Sequence, residues 1–164
     1  MDSETPNIET ARFESPLGII ELIQCDGFLT GLDFIDEGKP TEIPASLQHA
    51  VNQINDWFKG KITKFELPVK PSGTPFQLSV WEMLTEIPYG QTLTYGELAH
   101  KLGVKNGSRA VGMANGANPV SLIIPCHRVI GANGKLTGYR GGLQRKKWLL
   151  RFEKENTPEG LFGI

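Results

Sequence analysis

Cysteine is scarce in this sequence, since only Cys25 and Cys126 occur among its 164 residues. Two cysteines are too few for the disulfide frameworks that hold small secreted domains together. No stretch is long and apolar enough to cross a bilayer as a helix, and the acidic, polar residues 1–4 do not resemble a secretory signal. We therefore expect a cytoplasmic protein without a membrane partner, in a compartment where free thiols persist.

Net charge is also small, −1 over the whole chain, but it is unevenly distributed. Residues 1–70 contain 6 Lys and Arg against 12 Asp and Glu, whereas residues 71–164 contain 11 against 6. A basic half beside an acidic half is compatible with binding of a polyanion by the second half. Two solvated faces that differ by chance explain the asymmetry equally well, so charge alone leaves the choice open.

Apolar spacing in the first half predicts a small antiparallel sheet and one helix. Apolar runs at residues 19–23 and 28–32 flank Asp26-Gly27, and a two-residue Asp-Gly turn is typical of a β-hairpin. Apolar residues then recur at helical spacing over residues 45–58 and predict an amphipathic helix.

A further strand is expected at residues 65–69, followed by a linker rich in proline and glycine. We therefore expect an α/β domain over residues 1–70 and a second domain over residues 71–164. The second domain is expected to be mainly α-helical and winged-helix-like, with a helix-turn-helix for DNA binding.

Two capping boxes mark helix starts in the second half. Thr74 and Gln77 bracket Pro75, which suits the first position of a helix. Thr94 and Glu97 have the same spacing and predict the start of a shorter helix.

A third helix is expected over residues 109–115, capped by Ser108 and closed by Gly116. Because it follows the shorter helix after a brief turn, the pair has the helix-turn-helix pattern. Gly141-Gly142 precede a last helix.

The feature richest in chemistry is Cys126-His127. A thiol attacks as its thiolate, and a neighbouring imidazole favours that form. The alternative is a buried cysteine that behaves as a small apolar side chain, which is the commoner fate of a lone cysteine. Adjacent side chains need not face each other, so His127 could also act through a water.

Residues 125–129, Pro-Cys-His-Arg-Val, resemble the active-site signature of the O6-alkylguanine-DNA alkyltransferases (methylated-DNA–protein-cysteine methyltransferases), in their stand-alone bacterial form. Further matches keep the family's order and spacing across about residues 74–155. They are Val80-Trp81, residues 87–90, Tyr95, residues 109–112, Asn118-Pro119, Gly138-Tyr139, Gly141-Gly142, Leu149-Leu150 and Glu153.

The resemblance implies a DNA repair protein and a methyltransferase. It would flip O6-alkylguanine out of duplex DNA and transfer the alkyl group irreversibly to its own Cys126, with O4-alkylthymine as a further candidate substrate. The reaction would need no cofactor. It would be a single-turnover suicide reaction, because the thioether product has no bond that water readily cleaves.

The resemblance also implies the catalytic roles. Cys126 is similar to the acceptor, and His127 to the general base, relayed by a water and oriented by Glu153. Asn118 resembles the residue that braces the active-site turn. Tyr95 resembles the hydroxyl that hydrogen-bonds guanine N3 and helps to protonate the leaving base.

The base pocket is implied in the same way. Tyr139, with the backbone of Val129 and Arg140, resembles the wall of that pocket. Asn115, Arg140 and the loop at residues 131–138 are expected to decide how large an alkyl group fits.

Double-stranded DNA is the partner that the resemblance implies, bound through the minor groove. Arg109 resembles the finger that fills the stack after the base has left, because flipping a base leaves a gap that must be filled. Ala110 and Gly112, with Ala114 and Gly116, are expected to make this helix thin enough for the narrow groove. We expect a nucleoid-associated monomer that can bind DNA cooperatively.

Other charged residues received plainer interpretations. Lys135, Lys146 and Lys147 are candidate phosphate contacts, with an ordinary solvated face as the alternative. Arg128 is expected to form a structural ion pair near the site.

No metal site is expected. Some relatives hold a structural zinc in the first domain through Cys and His ligands. Residues 1–70 offer only Cys25 and His49, fewer than a four-ligand site requires.

Two other functions fit parts of the pattern. A non-catalytic sensor of alkylated DNA would lack the nucleophile, and Cys126 is present. A Cys-His thiol hydrolase would turn over, and it would leave the helix-turn-helix and Arg109 unexplained.

Overall fold

The computed structural model describes residues 5–157, and the chain divides between Ser72 and Gly73 into two compact units. The N-terminal unit contains three antiparallel strands in the order β1-β2-β3. They are β1 (Ile8–Ser15), β2 (Gly18–Cys25) and β3 (Phe28–Ile35). The predicted hairpin is confirmed, since Asp26 and Gly27 connect β2 to β3 with φ of 49° and 87°.

Strand β1 was not predicted from the sequence. Its buried residues are Ala11 and Phe13. Two apolar residues in alternation among polar neighbours are too few to predict a strand from the sequence. Arg12 pairs across the sheet with Glu21 of β2 at 2.8 Å. The strand is therefore defined by its partner more than by its own sequence.

Helix α1 (Ala45–Phe58) has the bounds that the sequence predicted. Its buried face includes Leu47, Ile54 and Trp57, each with no exposed area. Because this face packs at β1, the sheet and the helix share one apolar core.

The prediction of a strand at residues 65–69 is wrong. Only one β-bridge forms there, between Leu29 and Val69. Leu29 N donates to the Pro68 carbonyl at 2.8 Å, and Lys70 N donates to the Leu29 carbonyl at 2.9 Å. Proline has no N–H to donate, so the ladder does not extend.

The C-terminal unit is mainly helical, as the sequence predicted. Its helices are α2 (Pro75–Leu84), α3 (Tyr95–Lys101), α4 (Ser108–Gly116) and α5 (Leu143–Glu155). Two short parallel strands, β4 (Leu93–Thr94) and β5 (Val129–Ile130), complete it. No helix within residues 5–157 has the length and apolarity needed to cross a membrane.

Both capping boxes are confirmed. The Thr74 hydroxyl accepts from Gln77 N at 3.1 Å, and Thr74 N donates to the Gln77 side chain at 2.9 Å. Thr94 and Glu97 form the equivalent pair at 3.0 Å in both directions. These bonds fix the starts of α2 and α3, and therefore the position of Tyr95.

The predicted cap of α4 is wrong by one residue. Ser108 is the first helical residue, and Gly107 stands at the N-cap position without a side-chain bond. A Cβ at Gly107 would lie 2.2 Å from Val104 Cγ1, so the tight turn into α4 selects glycine there.

Candidate active site

Cys126 begins a turn of 3-10 helix that leads into β5. The residue is 2% exposed, and its carbonyl accepts from Asn115 Nδ2 at 3.3 Å. Asn118 holds the segment before it: Nδ2 donates to the Ile124 carbonyl at 2.8 Å, and Oδ1 accepts from Val120 N at 3.0 Å. Two buried amides therefore fix the backbone on either side of the thiol.

The thiol of Cys126 is held in its neutral form. Burial raises its pKa, and this effect outweighs the hydrogen bond from Asn118 and the positive charge of Lys146. A buried thiol in this state needs a proton acceptor before it can act as a nucleophile.

His127 lies beside the thiol in sequence and has no exposed area. Its Nε2 is 2.7 Å from Glu153 Oε2. Burial lowers the pKa of His127 in spite of that carboxylate, so the ring is neutral at pH 7. Because an ionised carboxylate only accepts hydrogen bonds, Nε2 carries the ring proton and Nδ1 presents a lone pair. Nδ1 has no partner among the described residues, so this lone pair is available as a base.

Glu153 is the buried anion that orients this ring. Burial alone would raise its pKa, but the hydrogen bond from His127 and the hydrogen bonds and charge of Arg128 lower the pKa to about 2. Gly90 N donates to Oε1 at 3.1 Å. The carboxylate is therefore ionised and fully engaged at neutral pH.

The ion pair expected at Arg128 is confirmed. Its Nη2 lies 2.8 Å from Glu153 Oε2, and Nε donates to Oε1 at 2.9 Å. Its Nη1 donates to the Ile87 carbonyl at 2.7 Å. This bidentate pair compensates the buried carboxylate and leaves His127 uncharged.

The residues predicted for the base pocket lie around the loop that follows β5. Tyr95, the first residue of α3, donates its hydroxyl proton to the Thr137 carbonyl at 3.1 Å. Val129 is buried, Tyr139 is half-buried, and Arg140 is exposed. The described contacts bring Tyr95 to this loop; the roles of the other three remain predictions.

The interpretation of Lys146 as a phosphate contact or a solvated residue is wrong. Its side chain has no exposed area, and Nζ donates to the carbonyls of Thr137 and Gly138 at 3.0 Å and 3.2 Å. Burial lowers its pKa to about 8. Lys135 and Lys147 are exposed and remain available for phosphates. The sequence offered no signal that separates Lys146 from its neighbour Lys147, because the direction of a helix face depends on packing.

Helix α4 exposes Arg109 and Ala110 at its start. Gly112 is half-buried, and a Cβ there would lie 3.6 Å from Tyr95 Cδ1. Ala114 is 3% exposed, so it faces the core and does not thin the outer face, contrary to expectation. Sequence reasoning missed Met113, which is 73% exposed and follows Arg109 by one turn.

No cluster of three or more His, Cys, Asp or Glu residues suited to a metal ion occurs within residues 5–157. Cys25 is half-buried at the end of β2, with its sulfur 3.9 Å from Asp26 Oδ2.

Comparisons with known proteins agree over both units. Residues 75–155 match the family model for the DNA binding domain of 6-O-methylguanine DNA methyltransferase, and residues 10–71 match its ribonuclease-like domain. The methylated-DNA–protein-cysteine methyltransferase of Mycolicibacterium paratuberculosis is 44% identical over 94% of this chain and 97% of its own length.

Solved structures give the same result. The crystal structure of the Mycobacterium tuberculosis O6-methylguanine methyltransferase has a TM-score of 0.85 and 42% identity, covering 94% of this chain and 98% of that one. The same organism's enzyme in complex with DNA has a TM-score of 0.82 and 44% identity, covering 92% and 95%.

Proposed function

The chain belongs to the methylated-DNA–protein-cysteine methyltransferases, and from that premise we propose that Cys126 is the cysteine that accepts the methyl group. The protein is an O6-methylguanine-DNA methyltransferase that acts on DNA. One observation carries the assignment of the acceptor. Cys126 is a buried neutral thiol, and the next residue, His127, is a buried neutral imidazole that Glu153 holds by a hydrogen bond.

The proposed reaction is a displacement at carbon. His127 Nδ1 takes the thiol proton through a water, and the sulfur of Cys126 attacks the methyl carbon. A carbon–sulfur bond forms as the bond to guanine O6 breaks, and guanine leaves with the electron pair. Tyr95, hydrogen-bonded to N3, supplies a proton to the leaving base, so the guanine departs neutral. The proton held on His127 then restores the tyrosine through solvent.

Transfer of an isotopically labelled methyl group tests this assignment. We expect the label of a duplex with one O6-[methyl-labelled]guanine to appear in the peptide that contains Cys126. Label in the peptide that contains Cys25, the other cysteine of the chain, would contradict the assignment.

The site also requires that the base leave the duplex, because a buried thiol cannot reach an atom inside a base pair. We propose that α3 and α4 bind the minor groove, with Arg109 entering the stack in place of the flipped base. Support comes from the exposure of Arg109 and Ala110 at the start of α4, and from the related enzyme crystallised with DNA. Binding as a monomer, with cooperativity along DNA, remains part of this proposal.

Arg109→Ala distinguishes base flipping from chemistry. We expect the transfer rate on methylated duplex to fall by about tenfold or more, since filling the gap offsets part of the few kcal/mol that flipping costs. Reaction with free O6-benzylguanine needs no flipping, so we expect it to change by less than about twofold. Arg151→Ala, which removes an exposed cation of the same unit on α5, outside α3 and α4, is the matched control. Equal losses on both substrates would show that Arg109 is not the finger.

A further inference from the structure

Lys146 is a buried cation that the proposed reaction does not use. It lies on α5, and its Nζ donates to the carbonyls of Thr137 and Gly138 at 3.0 Å and 3.2 Å. The same Nζ lies 5.8 Å from the centre of the Tyr95 ring. A lysine without exposed area is costly unless its charge is compensated by hydrogen bonds, so these carbonyls and the lysine hold one another in place.

The Thr137 carbonyl accepts from two donors. Tyr95 donates its hydroxyl proton to it at 3.1 Å, and Lys146 donates at 3.0 Å. The Thr137 hydroxyl in turn donates to the Tyr95 oxygen at 3.3 Å. In this state the tyrosine proton points at the protein, whereas the proposed reaction needs it to point at the base.

The tyrosine must therefore exchange one acceptor for another when guanine enters. With Lys146 present, the Thr137 carbonyl keeps a donor after Tyr95 has left it. Without Lys146, that carbonyl would lose both of these donors when the tyrosine turns to the base, and the exchange would be disfavoured. Gly138 has φ of 43°, a left-handed conformation that residues with a side chain disfavour. Because Lys146 binds the carbonyl of this same residue, it helps to hold the backbone of the loop in that conformation.

We propose that Lys146 is a positioning residue that holds the carbonyls of Thr137 and Gly138 in place while the Tyr95 hydroxyl exchanges Thr137 for the guanine base. This inference rests on the proposed role of Tyr95 as the hydrogen-bond donor to the base. It assigns to Lys146 no contact with the methyl group.

Lys146 also acts on Cys126 through its charge, which opposes the rise in the pKa of that thiol. If Lys146 served only to stabilise the thiolate, its removal would slow transfer whether or not Tyr95 had a hydroxyl. The two explanations therefore differ in how the two residues depend on each other.

The experiment is a double-mutant cycle of the whole protein, with wild type, Lys146→Met, Tyr95→Phe and the double variant. Single-turnover methyl transfer from a duplex with one O6-methylguanine gives the limiting rate and the half-saturating duplex concentration. The final amount of methylated protein counts the folded molecules, so misfolding lowers that amount and leaves the rate interpretable.

We expect Lys146→Met to lower the limiting rate about tenfold when Tyr95 is present and less than about twofold in Tyr95→Phe. The half-saturating concentration should stay within about twofold, because Lys146 has no exposed area through which to contact DNA. Lys146→Gln, which is neutral but keeps N–H donors, should recover part of the rate. This recovery would not occur if charge alone mattered, so the variant also serves if the methionine protein folds poorly.

Independent losses in the two variants would overturn the inference and assign Lys146 to the thiolate. An unchanged rate in Lys146→Met, or in Tyr95→Phe, would also overturn it, and methyl acceptance by Cys126 would stand. Absence of methyl transfer in the wild-type protein would instead refute the proposed function itself.

Discussion

We expect alanine in place of Cys126 to abolish methyl acceptance while binding to methylated duplex DNA persists. The expected loss is complete within detection, because the proposed reaction uses the Cys126 sulfur as its nucleophile and the other cysteine, Cys25, belongs to the N-terminal unit. Binding should change by less than about threefold, since the exposed residues at the start of α4 are untouched. Rapid-quench transfer assays and fluorescence anisotropy measure the two quantities separately.

The second cysteine provides the matched control. Cys25 is half-buried in the N-terminal unit and has no part in the proposed reaction, so Cys25→Ala should transfer at the wild-type rate. Continued methyl acceptance by Cys126→Ala would show that the nucleophile is misassigned. A parallel loss of DNA binding would show that Cys126 also shapes the binding surface.

Glutamine in place of Glu153 is expected to have the second large effect on methyl transfer. The Glu153 carboxylate orients His127, with its oxygen 2.7 Å from Nε2, and compensates the charge of Arg128 at 2.8 Å. Loss of the orienting anion should reduce the transfer rate by about 10²-fold or more, the usual contribution of a positioned base. Because Arg128 would remain buried without its anion, the free energy of unfolding should fall by about 3 kcal/mol or more.

The acid dependence of stability gives an independent measurement of the same carboxylate. Its pKa in the folded protein is about 2, against an ordinary value of 4.5. Because the folded protein favours the ionised carboxylate, Glu153 stabilises the fold at pH values above the pKa that it has in the unfolded chain. That contribution, about 3 kcal/mol, is lost as pH falls from about 4.5 through about 2. Urea unfolding at a series of pH values should show this slope in the wild type and a flatter one in Glu153→Gln.

Glu155→Gln is the matched control, because Glu155 is exposed on the same helix, α5. It should leave both the transfer rate and the acid slope unchanged. If Glu153→Gln behaved like Glu155→Gln, the buried network would not be what activates His127.

Local signals in the sequence were sufficient for much of the fold. Asp26-Gly27 defines a turn by its own backbone preferences, and the capping box at Thr94 and Glu97 uses atoms only three residues apart. The bounds of α1 also follow from spacing within one segment. Such features depend on neighbours in the chain, so they can be predicted without knowing the fold.

Features that depend on distant partners could not be predicted in this way. Strand β1 is defined by pairing with β2, and residues 65–69 fail to form a strand because Pro68 lacks an N–H. Lys146 and Lys147 are adjacent in sequence, but packing of α5 buries one and exposes the other. The network of Cys126 and Glu153 was expected from a resemblance, since no local pattern marks a glutamate 27 residues away as its partner.

The most direct test of the account is the intact mass of the wild-type protein after mixing with an excess of duplex that carries one O6-methylguanine. We expect every active molecule to gain one methyl group, located on the peptide with Cys126, and then to gain no more however long the mixture stands. Unmodified protein that releases methanol or repaired DNA in repeated turnovers would contradict the account, because it would require a bond to Cys126 that water can cleave.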